Sequence, residues 1–409
     1  MPSDPRGCNS RRTAAFIFAK WLATKDFPAA MLPEGPDRAF VQDLGYTTIR
    51  RLRPLRKMLG GFLKTWPKGE LEALLYIGAA QILYMDDVPD FAAVNETVDA
   101  AKMSPNKNLA KVVNGVLRNL IRECEKVGDN SGSGRADVFL KNSLVEERES
   151  FPTALVKRWI GRFGKENAEK LCKWHNEPAE TWIARKKGIF LKLERGERVE
   201  NVKGFAEGEF IVQDPGTALA IELMDVKPGE RVLDACAAPG GKTIQLAWRG
   251  AKVTACEVNP KRRRRLEENL ERVGVESGSG TVEVIDALPS DLPTFSPSHL
   301  PTFSKILVDA PCSNTGVLRR RPDARWNWSE EKLKELVKLQ AEILDQVAPL
   351  VAPGGSIVYS TCSNEPEENL EQVRAFTRRH KDFHIVTSKE SIPFESGHDG
   401  AFAARIERK

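Results

Sequence analysis

Two cysteines stand where an α/β protein could use a sulfur nucleophile. Cys312 comes shortly after the apolar run 306–308, and Cys362 comes shortly after the apolar residues 357–358. Both runs are typical of buried strands, and open α/β sheets bind ligands at the carboxyl ends of parallel strands. Two thiols at such an edge, with Asp309 beside the first, indicate covalent chemistry on a substrate. Spacing alone does not say which thiol attacks.

Other roles for the two cysteines are open at this point. A cysteine at a strand end is most often a small buried apolar residue. A zinc site would need closely spaced pairs of ligands, whereas Cys312 and Cys362 stand 50 positions apart (362 − 312) with no cysteine or histidine doublet nearby. The seven cysteines have irregular spacing and no apolar signal segment precedes them. We therefore expect free thiols in a reducing, cytoplasmic compartment, and no metal.

A glycine-rich loop further upstream indicates a cofactor. The loop follows the predicted strand 231–234 and leads into a helix near Thr243. Its residues are Cys236, Ala237, Ala238, Pro239, Gly240, Gly241 and Lys242. Paired glycines let the backbone approach a ligand, and a helix N-terminus attracts an anionic group. The glycine patterns of dinucleotide-binding and phosphate-binding loops are both missing from this stretch.

Two carboxylates end the next two predicted strands. Glu257 follows residues 252–256, and Asp286 follows residues 282–285. A carboxylate in the first position can accept hydrogen bonds from ribose hydroxyls, and one in the second could meet an adenine amine. Together with the loop they favour a nucleoside cofactor. Taken singly, either could be a helix N-cap.

The pattern of apolar residues predicts an α/β protein with an all-α domain in front. Residues 1–127 have a helical period without strand alternation, and residues 128–150 begin with a run of Gly, Ser, Asp and Asn that is typical of a linker. Residues 151–212 should form a small connecting subdomain. From 213 to 409 strands alternate with helices, which predicts a Rossmann-like, doubly wound, mainly parallel sheet.

Composition limits the possible classes of protein. The chain has 409 residues, 41% apolar and 29% charged, which is a globular balance and enough for two or three domains. No run of about 18 apolar residues could span a bilayer, so we expect no membrane partner. The net charge of +5 is too small to indicate a nucleic-acid partner by itself.

Three motifs in combination resemble one family. DACAAPGGKT (234–243), DAPCSNTGVLRRRPDARW (309–326) and YSTCSNEPEEN (359–369) are similar to motifs of the RsmB/Nop2/Sun family of RNA cytosine-5 methyltransferases, most closely its bacterial RsmB (Sun or Fmu) group. Residues 37–41, 78–83, 94–98 and 113–118 look like the NusB-like RNA-binding domain of that group. Residues 175–212 depart from the family: the segment is shorter, and Trp182–Arg185 replaces its usual Arg-Val-Asn, which puts the RNA contacts of this segment in doubt.

The resemblance implies a function and a role for each motif residue. It implies S-adenosylmethionine at residues 236–242, Glu257, Asp286 and Asp309, with Cys362 as nucleophile and Cys312 as its helper. The thiolate would add to carbon 6 of cytosine so that carbon 5 can take the methyl group, while Asp309 holds the edge of the base. The expected partner is 16S rRNA, with the target cytosine unpaired or flipped out of its stack, and the enzyme is expected to act as a monomer.

A basic stretch after Cys312 is interpreted as an RNA-facing loop. It contains Arg319, Arg320, Arg321 and Arg325, whose guanidinium groups could bind phosphates. A charge run of this kind is about as often a solvated face. Trp326 beside them could stack on a base, although a core position is more usual for tryptophan.

Two other functions stay open. The same reaction could take place on tRNA, although the NusB-like segment argues against it. The chain could also be a non-catalytic RNA-binding assembly or antitermination factor, which would bind RNA without binding S-adenosylmethionine.

Overall fold

The structure, a computed structural model, describes residues 9–25, 27–127, 135–136, 139–194, 196–275, 281–286, 288 and 302–409. These residues fall into two compact units, one made of residues up to Asn176 together with Arg321–Trp328, the other of Glu177–Arg320 and Ser329–Lys409. The predicted boundaries at 127, 150 and 212 do not follow this division. The glycine- and serine-rich part of the predicted linker, 128–134, lies outside the described residues.

The first unit is helical, as the periodicity predicts. Its helices are α1 (Ser10–Thr24), α2 (Asp37–Arg50), α3 (Leu52–Gly60), α4 (Glu70–Tyr84), α5 (Asp90–Lys102), α6 (Asn108–Val127), α7 (Thr153–Phe163) and α8 (Lys165–Asn176), with four-residue helical turns at Val145–Arg148 and Ala324–Asn327. Helix α4 is buried along most of its length, and Gly78 lets the side chain of Leu117 on α6 pack against the α4 backbone. The Asn9 side chain caps α1 by accepting from the amides of Arg11 and Arg12.

The second unit has two sheets. The smaller contains β1 (Trp182–Arg185), β2 (Ile189–Lys192) and β3 (Phe210–Val212) in the order β2-β1-β3. The larger contains β4 (Arg231–Asp234), β5 (Lys252–Cys256), β6 (Val282–Ile285), β7 (Phe303–Asp309), β8 (Val351–Thr361), β9 (Phe383–Ser391) and β10 (Ala401–Arg408). Its helices are α9 (Ala218–Met224), α10 (Gly241–Trp248), α11 (Pro260–Arg272), α12 (Glu330–Val347) and α13 (Leu370–Arg379), with a helical turn at Pro393–Ser396.

The larger sheet confirms the predicted fold class. Its strand order is β6-β5-β4-β7-β8-β10-β9, and the strands from β6 to β8 are parallel, while β10 runs antiparallel to both neighbours. The apolar residues 306–308 of β7 and 357–359 of β8 are completely buried, as expected for a parallel sheet covered on both faces. The carboxyl ends of β4, β5, β7 and β8 therefore lie along one edge, which positions the residues singled out above.

No helix in the described ranges has the length and apolar character that crossing a membrane would take.

Candidate active site

Parallel pairing of β7 with β8 brings the two cysteines together. Asp309, the last residue of β7, lies opposite Ser360 of β8, and each strand is followed at once by its cysteine loop. The Sγ atoms of Cys312 and Cys362 are 3.4 Å apart. Cys312 is buried and Cys362 is partly exposed, so Cys362 is the thiol that a substrate can reach more easily.

Electrostatics also distinguishes the two thiols. The hydrogen bond with Cys362, burial, and the nearby Cys362 and Glu368 groups raise the pKa of Cys312 well above its ordinary value. A thiol that keeps its proton can donate to a neighbouring thiolate. Cys362 in its protonated form donates to Oδ1 of Asn314 at 3.2 Å. The arrangement therefore favours Cys312 as the hydrogen-bond donor of the pair.

Lys242 connects the glycine-rich loop to the cysteine loops. Its Nζ donates to Asp309 at 2.6 Å, and Asp309 also accepts from the hydroxyl of Ser360 at 2.7 Å. Burial lowers the pKa of Lys242, but Asp309 outweighs burial and Cys362 adds to its effect, so the net shift is upward. Lys242 thus keeps a positive charge that stabilises a negative charge on Cys362.

The glycine-rich loop borders a cavity of about 300 Å³, a size suited to a small ligand. Predicted cofactor residues that line it are Cys236, Ala237, Ala238, Pro239, Gly241, Lys242 and Asp309. Gly240 has a φ of 104°, and a Cβ there would lie 2.7 Å from the Leu266 side chain, so this turn requires glycine. Helix α10 begins at Gly241, and its free amides can hold an anionic group.

Asp234 adds a carboxylate to the cavity wall. It accepts from the hydroxyl of Thr243 at 2.7 Å, while its Oδ1 is buried without a hydrogen-bond partner in the described structure. Burial raises the pKa of Asp234 to about 6. An unpaired acceptor beside a helix N-terminus suits a ligand with both anionic and cationic groups, such as the amino-acid end of S-adenosylmethionine.

The structure places Glu257 and Asp286 at the ends of β5 and β6, as predicted, but outside the lining of this cavity. Glu257 is half-buried and accepts from the amide of Asn259 at 2.8 Å. Asp286 forms an ion pair with Arg263, and its side chain is 63% exposed. Contacts of these carboxylates with a cofactor stay a prediction.

All four arginines predicted to contact RNA have intramolecular partners, although Arg321, which pairs with Asp323 at 3.4 Å, is largely exposed. Arg319 is buried within 3.4 Å of Asp399, and Arg320 donates to Asp214 at 2.8 Å and lines the cavity.

Arg325 is completely buried in the helical unit. Its guanidinium donates to Oδ1 of Asn176 at 3.0 Å and to the backbone oxygens of Arg50, Ser150 and His175, and it lies 3.9 Å from the ring centre of Phe151.

Buried guanidinium groups with such partners cannot reach a phosphate, which corrects the expectation for Arg319 and Arg325. Arg321, with a side chain 57% exposed, stays a predicted RNA contact. The core position predicted for Trp326 agrees with its packing against the helical core and its bond to the backbone oxygen of Ile49 at 2.9 Å.

Asn314, Ser360 and Glu368 are functional candidates that the sequence analysis missed. Asn314 accepts a hydrogen bond from Cys362, and Ser360 donates one to Asp309. Glu368 accepts from the serines that follow the two cysteines. The repeated Cys-Ser pair at 312–313 and 362–363 was a signal in the sequence that could have indicated a shared partner.

Comparison with known proteins gives two family matches. Residues 221–405 match the family described as 16S rRNA methyltransferase RsmB/F, and residues 8–122 match the NusB family, as predicted for the helical segment.

Individual relatives are similar over most of the chain. The probable ribosomal RNA small subunit methyltransferase B of Bacillus subtilis is 31% identical over 91% of this chain and 91% of its own. The ribosomal RNA small subunit methyltransferase B of Salmonella arizonae is 32% identical with the same coverage of both chains. The crystal structure of PH0851 has a TM-score of 0.76 and 22% identity, covering 98% of this chain and 99% of that one, which supports the fold.

Proposed function

Because this chain belongs to the 16S rRNA methyltransferase RsmB/F family, an S-adenosylmethionine-dependent family that acts on ribosomal RNA, we propose that it methylates carbon 5 of a cytosine in 16S rRNA through a covalent bond to Cys362. The observation that carries the proposal is the 3.4 Å distance between the Sγ atoms of Cys312 and Cys362. Lys242, which lies near them, also lines the cavity of the glycine-rich loop.

The cofactor has a defined place in this proposal. The loop 236–242 and Asp234 would hold it, with the amides that open α10 facing its carboxylate. When bound, S-adenosylmethionine supplies an electrophilic methyl group on sulfur. Lys242 and Asp309 bond to each other and both line this cavity, so a base held by Asp309 would lie next to the cavity.

The first step uses the ionised thiol. The thiolate of Cys362 forms a bond to carbon 6 of the cytosine, and the electron pair of the C5–C6 double bond moves toward carbon 5, which becomes nucleophilic. The thiol of Cys312 and the ammonium of Lys242 stabilise the thiolate before the attack. Asp309 accepts a hydrogen bond from the exocyclic amine, which orients the base.

The last step releases the product. After carbon 5 has accepted the methyl group, its proton must leave, and the electrons of the C–H bond restore the C5–C6 double bond while the C–S bond breaks. We assign the removal of this proton to Cys312, whose Sγ lies 3.4 Å from that of Cys362. Once Cys362 has bonded to carbon 6, the thiol proton of Cys312 passes to solvent, and the resulting thiolate takes the proton from carbon 5. The sulfur leaves as the thiolate of Cys362.

Transfer of a labelled methyl group from S-adenosylmethionine tests the proposal. The wild-type protein should label carbon 5 of a cytosine in unmethylated small-subunit rRNA, and Cys362→Ala should abolish the label. Cys124→Ala, which changes a buried cysteine of α6, is the matched control and should retain transfer. Label on tRNA alone, or unchanged transfer by Cys362→Ala, would contradict the proposal.

A further inference from the structure

One carboxylate connects the two cysteine loops. Each cysteine is followed by a serine, and the hydroxyls of Ser313 and Ser363 both donate to Oε2 of Glu368. The two hydroxyl oxygens are 3.1 Å from each other. The loops that end β7 and β8 are therefore joined through a single side chain immediately behind the thiols.

The other oxygen of Glu368 ties the first cysteine loop to helix α12. Oε1 accepts from the backbone amide of Ser313 at 2.9 Å and from Nε2 of Gln340 at 3.0 Å. The same Nε2 donates to the backbone oxygen of Pro311, next to Cys312, at 2.9 Å. Glu368 is completely buried, so its bonds are shielded from water.

We propose that Glu368 is a positioning residue that sets the separation of the two thiols by holding both cysteine loops. It lies behind the reacting atoms and acts through Ser313 and Ser363. The inference rests on the proposed function only in giving the thiol pair its role in the reaction. A carboxylate suits this position because its two oxygens together accept from all the converging donors as they stand, whereas a glutamine accepts at only one oxygen and requires the serine hydroxyls to rotate.

The position has a measurable consequence for the reactivity of Cys362. When the two cysteine loops are held together, the thiol of Cys312 can donate a hydrogen bond to the thiolate of Cys362, which stabilises the thiolate. If the loops separate, the thiolate loses this donor. Loss of one hydrogen bond to a charged group should then raise the pH midpoint of Cys362 alkylation by about one pH unit.

Alkylation of the protein alone tests the inference, because it needs neither RNA nor S-adenosylmethionine. Iodoacetamide is added across a pH series, and labelling of the peptide that contains Cys362 is followed by mass spectrometry. Glu368→Ala should raise the midpoint by about one pH unit. Ser363→Ala removes the bond between the Cys362 loop and Glu368, together with the acceptor of the Glu365 amide. It should move the midpoint in the same direction, and it keeps the test available if Glu368→Ala does not fold.

Conservative and neighbouring variants separate positioning from a general loss of stability. Glu368→Gln keeps the shape and can still bind both serines after their hydroxyls rotate, so its midpoint should not rise. Glu371→Gln, an exposed neighbour on α13, is the matched control and should leave the midpoint unchanged. Adding Cys312→Ala to Glu368→Ala should raise the midpoint no further than Cys312→Ala alone, since both changes remove the same donor.

Turnover on rRNA gives the second readout. Glu368→Ala should lower kcat about 100-fold with little change in KM, since misplacement near 1 Å has effects of that size. Folded Glu368→Ala and Ser363→Ala proteins with wild-type midpoints would overturn the inference, even if the wild type methylates rRNA. Shifted midpoints in a protein that transfers no methyl group would overturn the proposed function and leave the inference standing.

Discussion

Gly316 lies where the first cysteine loop touches the second, and replacing it with alanine should misplace Cys362. Its amide donates to the backbone oxygen of Cys362 at 2.9 Å, and its own oxygen accepts from the amide of Gly400 at 2.8 Å. A Cβ on residue 316 would lie 2.7 Å from the Gly400 oxygen and 2.8 Å from the Cys362 oxygen. Both obstacles are backbone atoms, so a rotamer change cannot relieve the clash.

The size of the effect follows from these distances. Ordinary contact begins at 3.4 Å, so the backbone at Cys362 must move by about 0.6 Å. Since a misplacement of about 1 Å can cost about 100-fold in rate, we expect kcat for methyl transfer to fall about tenfold. Overpacking of this kind should also lower the free energy of unfolding by about 1–3 kcal/mol.

Methyl transfer and urea unfolding of Gly316→Ala, measured side by side, provide the assay. Gly115→Ala is the matched control, because a Cβ at this position in α6 meets nothing within 4 Å. Alanine is favoured over glycine in a helix by about 0.5–1 kcal/mol, so this control should be as stable as the wild type or slightly more stable, with unchanged transfer. A folded Gly316→Ala protein with wild-type kcat would show that the position of Cys362 does not depend on this contact.

Three further predictions concern charged residues. Burial raises the pKa of Asp234 from an ordinary 3.8 to about 6, so the folded state binds the proton more tightly than the unfolded state does. The stability of the wild type relative to Asp234→Asn should therefore be greatest below pH 4 and fall by up to about 3 kcal/mol between pH 4 and pH 6. Urea unfolding of both proteins across that pH range measures the difference. A flat difference would contradict this. Arg325→Ala should lower the free energy of unfolding by about 3 kcal/mol because it leaves buried carbonyl oxygens unpaired, whereas Arg321→Ala at the surface should change it by less than about 0.5 kcal/mol. Arg321→Ala should instead weaken rRNA binding and reduce the slope of log K against log salt concentration by about 1, and an unchanged slope would remove Arg321 from the RNA contacts.

The strands that carry the site were predictable because each is a short apolar run ended by a polar residue. The structure has β4, β5 and β6 at the predicted residues 231–234, 252–256 and 282–285. The strands β9 and β10 were not predicted. β9 is an edge strand with mostly exposed polar residues, and the apolar run of β10 consists mainly of alanine, which has a low preference for strands.

Which arginines are buried and which are exposed could not be predicted from their spacing in the sequence. Arg321 and Arg325 are four positions apart in one basic stretch, yet one is largely exposed and the other is completely buried. Burial of Arg325 depends on acceptors from Arg50, Ser150 and His175, which are more than 100 positions away in the chain. The contacts of Glu368 with both cysteine loops could not be predicted for a related reason, since the two loops come together only through the parallel pairing of β7 with β8.

A search for the bond between Cys362 and RNA tests the proposed reaction most directly. Cys312→Ala should form the bond but release it slowly, since the residue assigned to proton removal is missing. After incubation with S-adenosylmethionine and unmethylated small-subunit rRNA, a protein–RNA adduct should survive denaturation, and mass spectrometry of its nuclease-trimmed peptide should find the methylated nucleotide on Cys362. An active Cys312→Ala protein without an adduct would remove Cys312 from product release, and an adduct on any residue other than Cys362 would contradict the proposed reaction.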